Sequence, residues 1–562
     1  MLMVLYYIFK IEVPMMRRYW IYCFLLGWLM ITAFGTDSFP ARAFSDNRPE
    51  VRALWVDAFR DGIKTPAQAD QLIHDAVRSN INTLIVQVRR RGDAYFNHSI
   101  EPRTEDSALE PDFDALQYLI DRARPLGIEV HAWLNTLVAW NSTVPPRDPN
   151  HVWNLHGPKA VGRDNWVSYY RTYDKTKNEW SEQLYPSYYL DPGHPDVQDY
   201  TAAVYLNVIR NYQVDGIHLD YSRYAGKEWG FNPTSVELFN QRFGTSGMPS
   251  PEDPLWQQWR REQTANLVRK IYLKALAVRP DIKVSSAVIT WGDGPVNDED
   301  WEKSRAYVDV GQDWRSWLEA GMIDMVIPMN YFSEWNTTQQ LWYNRWIEWE
   351  KNHQYGRQIV IGPGIFMQYI EDSLEQIRRA QSPSALGNRA AGVALFSYGA
   401  AHLYSTDDFK ASKTLPRQPH QYLPESNGWF YDVLAKEGGY VDPVWKTFVP
   451  TQPVFPTPVP VPEMPWKTRP VTGYLMGAAV DRDGRPEILR RVVVERLSET
   501  DDGPFSGEPS DVRGVFTDGS GWFGLTELVP GRYRVTLEGK TVAYIGEVDV
   551  MPGRVAEIYF PE

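Results

Sequence analysis

The chain has 562 residues and a formal net charge of −13, so it is long enough for two or more domains with a large buried core. An acidic surface repels phosphate groups, which excludes nucleic acid as an expected partner. Aromatic residues make up 14% of the chain and include 23 tryptophans. They suit either a large aromatic core or platforms on which the C–H faces of sugar rings stack.

The N-terminal residues predict a secretory signal over residues 1–43. Two arginines at 17–18 precede an apolar run over 19–34, and Ala41-Arg42-Ala43 offers small residues for cleavage. An uncleaved anchor is the alternative. The only cysteine, Cys23, lies in the apolar run, so the mature chain is expected to have no disulfide. No later stretch predicts a membrane span, and we expect a secreted, periplasmic or cell-envelope protein.

The next part of the chain alternates between strand-like and helix-like patterns. Strands are predicted at residues 51–56, 83–89, 129–135, 214–220, 284–289, 325–329, 359–361 and 393–396, and helical patterns at 66–79, 112–126 and 195–212. This alternation is typical of parallel strands with helical crossovers. No Gly-rich phosphate loop follows the first strand, which disfavours an open doubly wound sheet. The predicted fold class is α/β, a (β/α)8 TIM-type barrel.

The fourth predicted strand carries the most informative pattern. Ile217 and Leu219 form its apolar side, whereas Gly216, His218 and Asp220 face the other way. In a closed barrel the second set lines the interior, and barrel enzymes keep their chemistry at the C-terminal strand ends. Asp220 is therefore the leading catalytic candidate, and His218 is either a ligand for substrate hydroxyls or a core histidine.

Glycoside hydrolysis usually needs two carboxyl groups, one of which protonates the leaving oxygen. Acidic residues follow several predicted strands, at Asp57, Asp93, Asp220, Asp293 and Glu334. Glu334 and Asp93 are the leading partners for Asp220. Asp93 has neighbouring arginines that could hold it in a salt-bridged loop, so Glu334 is slightly preferred. His131, His218 and Asp220 could in principle hold a metal, but we predict no metal and no cofactor, and no G-x-S-x-G elbow supports a serine nucleophile.

Two further segments stand out along the chain. Residues 136–190 are too long for an ordinary loop, are rich in Trp and Tyr, and follow the third strand. They predict a substrate wall or lid, or else a self-packed subdomain. Residues 448–470 contain eight prolines and predict a semi-rigid spacer that few contacts should cross. On that basis the barrel is expected to fold without residues 470–562.

Beyond the proline-rich segment, short alternating stretches are separated by Asp483-Gly484, Asp518-Gly519 and Pro530-Gly531. This spacing predicts a small all-β sandwich. The resulting domain prediction is a signal peptide at 1–43, the barrel at 44–447, a Pro-rich linker at 448–469 and the sandwich at 470–562.

Six motifs occur in order at the predicted strand ends: RALWV at 52–56, QVRRRGDAY at 87–95, HAWLN at 131–135, DPGHP at 191–195, DGIHLDY at 215–221 and PMNY at 328–331. Together they resemble the glycosyl hydrolase-like family 10 domain over roughly residues 48–440. The resemblance implies a TIM barrel related to glycosidases, found in secreted or envelope bacterial proteins, some of them linked to peptidoglycan glycan cleavage. The family's aspartate at the end of the fourth strand corresponds to Asp220. The family's Arg-Tyr-Pro ending is Arg223-Tyr224-Ala225 here. The C-terminal module resembles the carboxypeptidase-regulatory-like β-sandwich.

The function predicted from these features is glycoside hydrolysis of a polysaccharide or of a peptidoglycan glycan. The alternative is a non-catalytic carbohydrate-binding or structural envelope protein on the same scaffold. The residues predicted to bind substrate are Trp55, Gln87, Arg89, Trp133, Asn135, His218, Arg223, Tyr224, Asn330 and Tyr331.

Overall fold

The computed structural model describes residues 48–407, 415, 417, 421–497, 512–539 and 542–561. The predicted signal peptide and its cleavage site lie outside the described residues. Within those residues, no helix is both long and apolar enough to cross a membrane.

Eight parallel strands form a closed barrel, which confirms the predicted fold class. In chain order, the strands through the end of the barrel are β1 Val51–Val56, β2 Thr83–Arg89, β3 Glu129–Asn135, β4 Val167–Tyr170, β5 Tyr173–Asp174, β6 Glu179–Trp180, β7 Tyr185–Leu190, β8 Gly216–Asp220, β9 Lys283–Val288, β10 Met325–Asn330, β11 Gln358–Pro363 and β12 Gly392–Phe396. The barrel order is β1-β12-β11-β10-β9-β8-β3-β2. Strands β4 to β7 belong to the long segment after β3, where β4 pairs with β7 and β5 with β6.

Helices surround the barrel, and most of them begin at a residue whose side chain caps the first turn. They are α1 Pro66–Arg78, α2 Ala115–Ala123, α3 Val152–His156, α4 Pro195–Asn211, α5 Pro233–Phe243, α6 Pro254–Val278, α7 Asp298–Lys303, α8 Arg305–Val308, α9 Trp314–Glu319, α10 Thr337–Asn352, α11 Ile370–Gln381, α12 Asn427–Ala435 and α13 Pro465–Thr468. In α1, α5 and α6, a Thr, Asn or Asp side chain accepts a hydrogen bond from the first turn and a proline follows it. A proline is favourable there because the first helical N–H groups have no partner inside the helix.

The core has two apolar layers that follow the alternation of side chains along the strands. Trp55, Ile85 and Ile327 belong to the layer inside the barrel. Ile217 and Leu219 belong to the layer between barrel and helices, as the β8 pattern predicts. Asp220, the last residue of β8, therefore lies at the C-terminal mouth of the barrel.

The proline-rich segment does not act as a free spacer. It runs across the N-terminal face of the barrel, where the carbonyl oxygens of Thr457, Val459 and Pro460 accept hydrogen bonds from residues at or before β1 and β2. Met464 is only 3% exposed and belongs to the apolar cluster inside the barrel. The segment therefore closes the bottom of the barrel, because its apolar side chains find more burial there than in water.

After the barrel, β13 Gly438–Val441 and β14 Phe448–Thr451 pair in a separate two-stranded sheet. The predicted all-β module consists of β15 Gly473–Ala479, β16 Arg491–Arg496, β17 Val512–Phe516, β18 Trp522–Leu528, β19 Gly531–Glu538, β20 Ala543–Val550 and β21 Val555–Phe560. A three-stranded sheet, β18-β15-β21, faces a four-stranded sheet, β17-β16-β19-β20. Their shared core includes Leu475, Phe523 and Val535.

The expectation that few contacts connect barrel and sandwich is wrong. The Lys270 ammonium of α6 is fully buried and lies 2.7 Å from both Asp199 of α4 and Asp518 of the sandwich. Arg357, at the start of β11, pairs with Glu527 of β18. The Trp522 side chain joins the core between barrel and helices. Alternation and turn signals in a sequence predict each domain separately, but they do not show which outer faces pack together.

Candidate active site

Asp220 is the last residue of β8, and its side chain is buried at the barrel mouth, with 6% of the residue exposed. Burial raises the pKa of Asp220 to about 6, because a charged carboxylate is poorly solvated there. The Arg223 guanidinium, the Tyr221 backbone N–H at 2.7 Å and the Trp133 indole all oppose that shift. The group can therefore change protonation state near neutral pH, as a catalytic acid or base must.

Arg223 and two tyrosines surround the carboxylate. The Arg223 guanidinium lies 4.8 Å from the Tyr221 ring and 5.4 Å from the Trp291 ring. Its Nε is buried and has no hydrogen-bond partner among the described residues. Tyr221 has φ +52°, a strained conformation for a tyrosine, and its ring centroid lies 6.0 Å from that of Tyr189. A donor without a partner beside a titratable carboxylate is typical of a ligand site.

A hydrogen-bonded network supports the mouth from β2 and β3. Asn135 lies opposite Asp220 in the pairing of β3 with β8. Its amide oxygen accepts hydrogen bonds from Gln87 Nε2 at 3.0 Å and from Trp133 Nε1 at 3.1 Å, and its amide nitrogen donates to the Arg90 carbonyl. The predicted residues Gln87, Trp133 and Asn135 thus lie together. They form a hydrogen-bonded layer next to Asp220.

Trp55 and His218 lie deeper in the barrel. The Trp55 indole donates to His218 Nε2 at 3.1 Å, and His218 Nδ1 is 2.9 Å from the Ser285 hydroxyl. His218 is fully buried, and burial lowers its pKa well below the usual value. Because both ring nitrogens have protein partners, His218 is a core histidine rather than a ligand for substrate hydroxyls.

Tyr331 lies at the barrel mouth, one residue after β10, which is separated from β8 by one strand. Its ring packs against Phe366 and Phe396 at centroid distances of 5.7 and 5.2 Å. Burial raises the pKa of Tyr331 well above its usual value, and the charges of Asp220 and Asp57 act in the same direction. Its hydroxyl is therefore a neutral hydrogen-bond donor beside Asp220.

Glu334 and Asp93 do not join this cluster. Glu334 lies between α10 and α11, where it pairs with Arg379 and accepts hydrogen bonds from Gln340 and Gln376. Asp93 stays within its own loop, where it accepts a hydrogen bond from the Thr104 hydroxyl at 2.7 Å. Among the described residues, no second carboxylate is among the groups that shift the pKa of Asp220.

Three predicted substrate-binding residues point away from the mouth. A bulge after Gln87 turns Arg89 toward α4, and its guanidinium forms a buried ion pair with Glu101 at 2.6 Å. Tyr224 is 2% exposed beneath the loop, with its ring 4.4 Å from the Arg260 guanidinium. Asn330 faces the helix layer and donates to the Glu350 carboxyl at 2.9 Å.

Glu350 shows why a shifted pKa alone does not identify an active-site residue. Burial raises its pKa to about 8, a value that suits a general acid. However, the residue is fully buried on α10 behind the barrel wall, with Asn330 as its partner. Tyr189 and Trp291 are the opposite case, because they approach the site although no charge pattern singles them out in the sequence. In the part of the chain that is described, no group of three or more His, Cys, Asp or Glu residues could hold a metal ion.

The model of the glycosyl hydrolase-like 10 family matches residues 50–379, more than half of the chain. The chain belongs to this family.

Two curated relatives are similar to about half of the chain. Glycosyl hydrolase YngK of Bacillus subtilis is 26% identical over 332 residues, which cover 55% of this chain and 59% of the relative. Glycosyl hydrolase DigH of Escherichia coli is 28% identical over 287 residues, covering 49% of this chain and 59% of the relative. The matched region thus spans less than two thirds of either relative. Among solved structures, the glycoside hydrolase domain of PgaB (BpsB) from Bordetella bronchiseptica aligns with 62% of this chain and 94% of its own, at 17% identity and a TM-score of 0.44.

Family membership places the chain among carbohydrate-acting, hydrolase-like proteins. The family match covers seven of the eight barrel strands, all but β12. It includes Asp220 and the residues that surround its carboxyl group. The sandwich and the proline-rich segment lie outside the matched region.

Proposed function

We propose that this protein is an exported glycoside hydrolase that cleaves a polysaccharide or a peptidoglycan glycan at Asp220. The observation that carries the proposal is a buried carboxyl with a pKa of about 6 at the mouth of a barrel, beside an arginine with a free donor. Barrel enzymes position their reacting groups at this face. A scaffold or spacer protein gains nothing from such a group, since burying it costs free energy.

In the proposed reaction, the ionised form of Asp220 acts on the sugar at the scissile bond, as nucleophile, base or stabiliser of positive charge at the anomeric carbon. Arg223 and the neutral Tyr331 hydroxyl donate hydrogen bonds to substrate oxygens. Trp133 and Asn135 keep Asp220 in place through the network from β3. Tyr189 and Tyr221 supply apolar ring faces for the sugar.

A proton must also reach the leaving oxygen. Glu334 and Asp93 remain the carboxyl groups proposed for this role from the sequence, but both have protein partners away from Asp220. In this structure they can serve only after the loops that hold them move. At the mouth, the Tyr331 hydroxyl can hydrogen-bond the leaving oxygen, and the proton that this oxygen gains comes from the water molecule whose hydroxyl group is added to the anomeric carbon.

The direct test is to incubate purified protein with intact peptidoglycan, denuded glycan strands and common polysaccharides, and to identify the products by mass. New reducing ends on one glycan class support the proposal, provided that Asp220→Asn removes them. Binding without cleavage, equal in both proteins, would favour a carbohydrate-binding protein instead.

Export is part of the same proposal and rests on the pattern at residues 17–43. N-terminal sequencing of the exported protein should find Phe44 as the first residue. Recovery of the intact apolar segment from the membrane fraction would favour an anchored form.

A further inference from the structure

A group of aromatic rings lies beyond the mouth, on the long segment after β3 and the loop after β8. Tyr170 is stacked between Tyr185 and Trp229, at centroid distances of 5.5 and 5.1 Å and interplanar angles near 29 and 28°. All three rings are partly exposed. Aromatic rings gathered at a protein surface are typical of a binding site.

A cavity of about 560 Å³ is lined by residues of both segments, together with Ser250 and Glu252: Tyr173, Asn178, Trp180, Lys227 and Glu228. The backbone N–H of Arg171, next to Tyr170, donates to the Glu228 carbonyl at 3.0 Å, which links the cavity wall to the stack. The Trp180 ring meets Tyr173 edge-on at 5.0 Å, and the Lys227 ammonium lies 5.8 Å from its centroid. Aromatic walls with a few amide, hydroxyl and charged groups are the usual lining of a small-molecule or sugar site, and the volume is in the ordinary range.

The stack is connected to Asp220 along both of the segments that form it. Tyr185 and Tyr189 both lie on β7, at most about 14 Å apart along the strand. The Tyr189 ring packs against the ring of Tyr221, the residue after Asp220. On the other segment, Trp229 lies in the loop that follows Asp220. The backbones of Tyr170 and Trp229 form an isolated antiparallel β-bridge. The mouth and the stack are therefore linked through β7 and through the loop after β8.

We propose that the Tyr185–Tyr170–Trp229 stack and the adjoining cavity form a distal subsite for the same glycan whose scissile bond lies at Asp220. This inference rests on the proposed function. Sugar rings present apolar C–H faces to the aromatic rings and hydroxyls to Asn178, Glu228 and Ser250. A subsite outside the mouth adds binding energy only for chains that reach both places, so the enzyme cleaves long chains faster than short oligosaccharides.

The test uses the full chain and two size fractions of denuded peptidoglycan glycan strands, tetrasaccharides and long strands. The measured quantity is the ratio of kcat/KM on long strands to kcat/KM on tetrasaccharides. The wild-type ratio should exceed one, and Trp180→Ala and Tyr185→Ala should each lower it by roughly tenfold, since truncating a buried aromatic contact weakens binding by about that much. Trp445→Ala, which removes a tryptophan that is 54% exposed elsewhere, is the matched control and should keep the wild-type ratio.

Each outcome decides between the two proposals. Cleavage of both fractions with a ratio near one, or a ratio unchanged in both variants, overturns the distal subsite and leaves the hydrolase proposal standing. If the wild type cleaves neither fraction, binding of the strands to Asp220→Asn is measured. Absence of that binding overturns both proposals for this glycan. Thermal melting of each variant separates a lost contact from a misfolded loop.

Discussion

Glu350→Gln tests how the barrel wall holds the mouth in place. The Glu350 side chain is fully buried, and its Oε2 accepts a hydrogen bond from Asn330 Nδ2 at 2.9 Å. Glu350 Oε1 and Asn330 Oδ1 are both buried without a hydrogen-bond partner among the described residues. A proton on Oε1 supplies the missing donor, because a carboxylic acid and a carboxamide can form two hydrogen bonds to each other. The neutral pair would then fix the end of β10, next to Tyr331.

The size of the effect follows from the pKa of Glu350. Burial raises that pKa from 4.5 to about 8, so between these values the unfolded chain is ionised at this residue while the folded chain keeps its proton. The stabilisation is complete below pH 4.5 and decreases as pH rises to about 8. Each pH unit in this window lowers the free energy of unfolding by about 1.4 kcal/mol, up to roughly 5 kcal/mol in total.

The assay is the melting temperature of the wild type and of Glu350→Gln from about pH 5 to about pH 8, where the linkage applies. Glutamine keeps the paired hydrogen bonds but cannot ionise. The variant should therefore lose less stability than the wild type as pH rises, with the gap between the curves widening. Glu348→Gln changes a half-buried glutamate on the same helix and is the control. Parallel wild-type and Glu350→Gln curves would show that Glu350 does not keep its proton in the folded state.

Two further predictions concern the site and the domain interface. Because burial raises the pKa of Asp220 to about 6 and the ionised form is proposed to react, kcat/KM on a confirmed glycan should fall as pH decreases through about 6; a profile that is flat there would contradict that role. Lys270→Met leaves Asp518 without its buried cation and should lower the free energy of unfolding of the full chain by about 2–4 kcal/mol. This loss is smaller than for a fully buried ion pair, because the side chain of Asp199, the second partner of Lys270, is 44% exposed. Lys303→Met changes an exposed lysine and is the control, which should leave the melting temperature nearly unchanged.

Much of the barrel could be predicted from the sequence because strand alternation and helix caps are local signals. In β8, the apolar residues Ile217 and Leu219 alternate with His218 and Asp220, so the faces of the strand could be assigned. In β10, the run that ends at Asn330 is apolar on both sides, and alternation does not reveal which side faces the interior. The sequence therefore predicts Asn330 at the mouth, whereas in the structure it faces Glu350.

Other errors arose from contacts between residues far apart in the chain. The bulge that turns Arg89 outward shifts the register by one residue, and a one-residue shift reverses the face of every later side chain. The sequence gives Glu334 no evident partner, because Arg379, which pairs with it, comes 45 residues later on α11. The composition of the proline-rich segment predicts a spacer, but the burial of Met464 depends on an opening that only the closed barrel creates.

Asp220→Asn tests most directly whether Asp220 is the catalytic carboxylate. The amide keeps the shape of the side chain but removes its charge. Binding of a glycan that the wild type cleaves should therefore persist, while turnover of that glycan falls by at least about a thousandfold. Asp293→Asn, which changes a half-exposed carboxylate paired with Arg345 near another strand end, should keep wild-type turnover. Wild-type turnover by Asp220→Asn on the same glycan would contradict the account.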